Sequence, residues 1–110
     1  MSCFNSSLSE LGNVTFLAQS KTNTYSDVST SDDLKNYKYV LLCQEKDTVS
    51  LTSTMIPMAL FRTGKAFMSN YSENTADSMY QCGAKYVNDN TVSMFTKETK
   101  AYSCTLYGIK

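Results

Sequence analysis

Apolar side chains return at every second position in one stretch of this chain after another, and that period decides its fold class. In Ala101–Lys110, Tyr102, Cys104 and Leu106 fall on one face, and Ser103, Thr105 and Tyr107 on the other. A two-residue period belongs to a half-buried β-strand. A terminal segment frays unless pairing in a sheet holds it, so this stretch reads as structural. Ser78–Val87 alternates likewise, with Tyr80, Cys82, Ala84 and Tyr86 on one face.

Tyr37–Glu45 is the strongest strand. Tyr37, Tyr39, Leu41 and Cys43 form one face, which places Cys43 inward, and Val40 and Leu42 make the other apolar too. A strand apolar on both sides belongs mid-sheet with both faces covered. Further strands are expected at Val14–Ala18, Thr48–Thr54, Lys65–Tyr71 and Thr91–Thr96. Gln19–Ser31 is polar, with at most one short strand around Tyr25 and Val28. Met55–Arg62 is a continuous apolar run in which Pro57 should mark a strand start, a bulge or an edge.

Turns are expected at Glu45-Lys46-Asp47, Thr63-Gly64, Ser72–Asp77, Asn88-Asp89-Asn90 and Lys97–Lys100, and Ser31–Asn36 should present Leu34 to the core. About eight short strands with turns every 8–12 residues or so spell an all-β fold, a β-sandwich or jelly-roll-like arrangement of antiparallel strands. At 110 residues the chain makes one domain. Residues 1–12, with Phe4, Leu8 and Leu11, read as a lead-in or linker, and 13–110 as a single sandwich domain.

Charge narrows the function. Ten basic and ten acidic residues cancel, which argues against a nucleic-acid partner, since phosphate binding needs a clustered positive surplus. Low net charge also leaves little repulsion against self-association. Met1–Ser7 has neither the basic nor the apolar region of a secretory signal, and no run approaches the ~18 apolar residues of a membrane span. Synthesis in a cytosol without membrane insertion is the expectation.

Without histidine the commonest general base is missing, and no Cys-x-x-Cys pair offers a metal site, so neither enzyme, metal nor cofactor is expected. Asp32-Asp33 reads as capping. Asn88-Asp89-Asn90, or Asn74 with Asp77, offers one acid per loop, too few for calcium, and reads as Asx-type turns. Of the four cysteines, Cys43, Cys82 and Cys104 occupy strand positions and read as reduced apolar fillers, a Cys82–Cys104 bridge being the alternative. N-x-[ST] triplets at Asn5, Asn13 and Asn70 arise readily in so Ser/Thr-rich a chain.

Tyrosines in a polar field remain. Tyr71 and Tyr80 flank the polar loop that holds Asn74, and Tyr25 lies in the long polar connection. An aromatic face with a hydroxyl suits packing on sugar rings or on protein. Tyr71, Asn74 and Tyr80 are therefore the candidate glycan or interface contacts.

Asp33-Leu34-x-x-Tyr37-Lys38-Tyr39-Val40, Ser53-Thr54-x-Ile56-Pro57 and Leu106-Tyr107-Gly108-Ile109-Lys110 occur in that order. The set resembles the C-terminal receptor-binding modules of tail-fibre and baseplate proteins from tailed phages and prophages of Gram-positive bacteria, over roughly residues 13–110. In those modules the aspartate-leucine turn feeds the central strand, the isoleucine-proline step begins a mid-chain strand and the tyrosine-glycine-isoleucine strand closes the protein. The resemblance implies a non-catalytic β-sandwich at a phage tail tip, made in the bacterial cytoplasm and located in the virion. It also implies a homotrimer whose partners are host cell-surface saccharide and other virion subunits. Those proteins carry a long upstream stalk, whereas about twelve residues precede the sandwich here. A bacterial carbohydrate-binding or adhesion sandwich and a head-decoration protein are the alternative readings.

Overall fold

The computed structural model describes residues 14–72, 79–97 and 102–110. Among the described residues, eight strands form two four-stranded antiparallel sheets. The first sheet runs β1 (Val14–Ser20), β8 (Ser103–Ile109), β3 (Tyr39–Lys46), β4 (Val49–Pro57). The second runs β2 (Ser26–Ser29), β7 (Thr91–Lys97), β6 (Met79–Asn88), β5 (Phe67–Ser72). The expected all-β sandwich is the fold found.

The core lies between the sheets. Leu17, Val40, Leu42, Ile56 and Leu106 from the first meet Cys82, Ala84, Val92 and Met94 from the second. Each large side chain so buried contributes about 1.5–3 kcal/mol. A bulge between Phe16 and Ala18 sends Leu17 and Ala18 into the core together. Asp33 caps a single 3-10 turn, Leu34–Asn36, which buries Leu34 as the sequence suggests.

Gln44 joins the sheets through a polar contact. Fully buried, it donates from Nε2 to Thr96 Oγ1 at 2.9 Å and to the Gln81 carbonyl at 3.3 Å. Its Oε1, buried too, has no hydrogen-bond partner among the described residues, so the amide is satisfied on its nitrogen side alone while still fixing which residues face each other.

Three expectations need correction. The inward face of β3 is Val40, Leu42 and Gln44, not Tyr39, Leu41 and Cys43. Tyr37 misplaces the phase because it closes the 3-10 turn and is no part of the strand. The outer face of β3 is not covered either: Tyr39 is exposed and Leu41 half-buried, whereas Cys43 is buried on that same outer side.

Next, β3 continues through Lys46, so the hairpin bend falls at Asp47-Thr48, where Asp47 takes φ 52°. That region tolerates Asp better than most residues. Finally, Ile56-Pro57 ends a strand and does not begin one. Pro57 pairs Tyr39 at the edge of the sheet, and one helical turn, α1 (Met58–Phe61), follows and buries Met58 and Phe61. Edge position was among the places proline allows.

Candidate functional site

Pairing across the first sheet sorts its outward side chains into rows. Val14, Ile109, Tyr39 and Pro57 lie side by side in the first, and Phe16, Tyr107, Leu41 and Met55 in the second. Gln19, Thr105, Cys43 and Ser53 make the third. Paired residues in antiparallel strands share a face, so the first two rows form one apolar surface. None of the twelve positions is charged. Val14 is 48% exposed, Phe16 49%, Tyr39 39% and Met55 56%. Phe16 stands edge-on to Tyr107 with centroids 6.4 Å apart.

Beyond the small third row the face turns polar. Gln19, Lys21, Glu45, Lys46, Asp47 and Ser103 line a cleft of about 460 Å³. Residues from β1, from β8 and from the β3–β4 hairpin therefore converge there. The Tyr107 hydroxyl donates to Glu45 Oε1, and Gln19 Nε2 donates to Thr105 Oγ1 at 3.1 Å. That bond to the Glu45 carboxylate, helped by burial, pushes the Tyr107 hydroxyl up to about 12. Two carboxylates, two ammonium groups, an amide and a hydroxyl supply acceptors and donors in balance. Such a lining suits a neutral, hydroxyl-rich ligand better than an anion.

The tyrosines singled out in the sequence fare differently. Tyr80 is 1% exposed, its ring packed edge-on against Tyr102 with centroids 5.5 Å apart, so it is core and not a surface contact. The alternation that aligns it with Cys82 and Ala84 prevails over its place beside a polar loop. Tyr71 lies in β5 opposite Tyr80 in the register. Asn74 lies outside the described residues, as do Asp77, residues 1–12 and the 98–100 part of the last turn.

Tyr25 is engaged by three neighbours. It tilts onto Phe95 at 4.7 Å, the Lys85 ammonium sits 4.2 Å from its centroid, and its hydroxyl reaches Met68 Sδ at 3.6 Å. Its hydroxyl pKa is raised by burial. These contacts make Tyr25, still 37% exposed, part of the packing over the outer face of the second sheet.

The acidic pairs are structural. Asp32 accepts from the Asp33 amide at 2.8 Å and the Tyr37 hydroxyl at 2.8 Å; these bonds, the Tyr37 one foremost, hold its carboxyl below the usual range. Asp89 is taken by Arg62 (Nε to Oδ1, 3.1 Å) and by the Tyr86 hydroxyl (3.0 Å). Asn88 Oδ1 accepts from the Asn90 amide at 2.9 Å, the Asx turn expected. Cys43, Cys82 and Cys104 are buried free thiols, so the alternative Cys82–Cys104 bridge is not formed. Burial, with Glu45 nearby, pushes Cys43 up to about 11.

The three sequence motifs meet at one end of the first sheet. The Tyr37 ring fills the space a side chain at Gly108 would need, since a Cβ there would lie 2.7 Å from it. Lys38 donates its amide to the Ile109 carbonyl at 2.9 Å and accepts from the Met58 amide at 2.7 Å. Their joint occurrence thus has a packing cause, at the opposite end of the sheet from the cleft. The cleft itself was missed because its residues come from three distant stretches and form no local motif. Comparison with protein-family models, with curated proteins and with solved structures finds no match to the chain.

Proposed function

We propose that this protein is a non-catalytic adhesion and structural module of a phage virion, at the tail tip, and that its polar cleft engages host cell-surface saccharide. The observation that carries the reading is the cleft of Gln19, Lys21, Glu45, Lys46, Asp47 and Ser103 on a rigid two-sheet scaffold. Carboxylate, amide and hydroxyl groups bind the paired hydroxyls of a sugar through directional hydrogen bonds. Individual contacts are weak, so multiple copies on one particle supply avidity. Support for the virion setting comes from the ordered motifs at 33–40 and 106–110, whereas the 53–57 step departs from those modules by ending a strand. Absence of histidine from the chain is consistent with binding without turnover.

A second reading, contact with other virion subunits alone as in a head-decoration protein, is favoured by the apolar outer face of the first sheet. The two separate in a glycan array and in pull-down on Gram-positive cell walls. Saccharide retention that falls at least tenfold in Asp47→Ala and Glu45→Gln supports adhesion through the cleft. Absence of wall and glycan binding, together with incorporation into heads, overturns it in favour of decoration.

A further inference from the structure

We infer that the outer face of the first sheet is the contact surface for a second copy of this chain, in a twofold, face-to-face dimer. This goes beyond saccharide binding, does not depend on it, and departs from the homotrimer that the resemblance implies. Four strands about 4.8 Å apart, with two rows of apolar side chains and their flanks, span roughly 20 by 20 Å, or about 400 Å². Two copies would cover about 800 Å² of such surface, and a rim one side chain deep brings the total into the roughly 1,200–2,000 Å² of a stable interface. A patch of about this size falls within the roughly 300–600 Å² of the largest apolar patch on a soluble monomer, and such patches are often functional.

The arrangement of the rows chooses the partner and the symmetry. A twofold axis lying in the face and crossing the strands between the two apolar rows sets the Tyr39 row of each copy on the Leu41 row of the other. Sheets stack this way at about 10 Å with interleaved side chains. No charge on either row must be stripped of water, and zero net charge removes long-range repulsion between copies. The small third row and the cleft then lie outside the contact at its two ends, both open to ligand. Isologous contact closes on itself, so the assembly stops at two.

Sedimentation equilibrium of the full chain from 1 to 200 μM tests this, with Phe16→Glu and Met55→Glu as disrupting variants. Val87→Glu serves as a control, because Val87 is 46% exposed on the second sheet. Thermal melts of each variant confirm folding. A reversible dimer in the parent and in Val87→Glu, with at least a tenfold weaker association in both other variants, supports the inference. A monomer throughout the range, a trimer, or a dimer indifferent to Phe16→Glu and Met55→Glu overturns it. Glycan binding by monomeric Phe16→Glu is read separately, so failure of the cleft reading and failure of the dimer are distinguishable.

Discussion

On the outer face of the second sheet Tyr25 lies back over Phe95, which is left 8% exposed, while on the outer face of the first sheet Phe16 and Met55 are about half exposed. Both faces carry large apolar groups, so composition does not separate them. A glycine does. At Gly83, in the middle of β6, an added Cβ would lie 2.6 Å from Phe95, 2.8 Å from the Tyr25 hydroxyl and 2.9 Å from Met68. The missing side chain makes a hollow that lets the polar connection fold down as a cover. The matching positions of the first sheet, Leu41 and Tyr107, are bulky and admit no such cover. Among the described residues, one face is covered by the chain itself and the other is left bare.

Filling the hollow is the strongest way to break this contrast. Gly83→Val should lift Tyr25 and cost about 2–3 kcal/mol by overpacking, a fall in Tm of roughly 10–20 °C by calorimetry. An unchanged Tm would mean that the cover is not packed. Removing the cover comes next. Tyr25→Ala loses the aromatic pair and the Lys85 contact, about 1–2 kcal/mol, and should raise binding of a hydrophobic dye by exposing Phe95. If dye binding does not rise, the second face was never shielded.

Phe16→Ser on the open face should change monomer stability by no more than about 0.5 kcal/mol in urea melts while lowering dye binding. A larger loss would show Phe16 to be packed in the monomer.

The smallest effect concerns pH. Tyr107 is held at about 12 in the fold against an ordinary 10.0. Its neutral form is therefore favoured by folding. That contribution is whole below pH 10 and is lost as pH rises through about 12. The stability difference between the parent and Tyr107→Phe should shrink across that window. A constant difference would argue against the Glu45 bond.

Much of the sandwich was legible because alternation and turn chemistry agree. Asp33 before Leu34, the Asx turn at Asn88–Asn90 and the alternation through Cys104 and Leu106 each rest on local physics. The inward face of β3 was not legible. Both of its faces are apolar, and the inward one carries the amide of Gln44, whose partners Gln81 and Thr96 lie on other strands. Tyr80 shows two local cues in conflict, with periodicity the stronger. Tyr25 and the cleft were hidden for one reason: each depends on residues far apart in the chain, and no nearest-neighbour pattern registers such a meeting.

Strand β8 sits between β1 and β3, so these two never pair with each other. Without that late segment the first layer would consist of a separate β1 strand and the β3–β4 hairpin. Closing so large a loop is entropically slow, which makes insertion of β8 a natural rate-limiting step in folding. Before it, the unpaired edges of β1 and β3 stand open to strands from other nascent chains, and that interval is when misassembly is most to be expected.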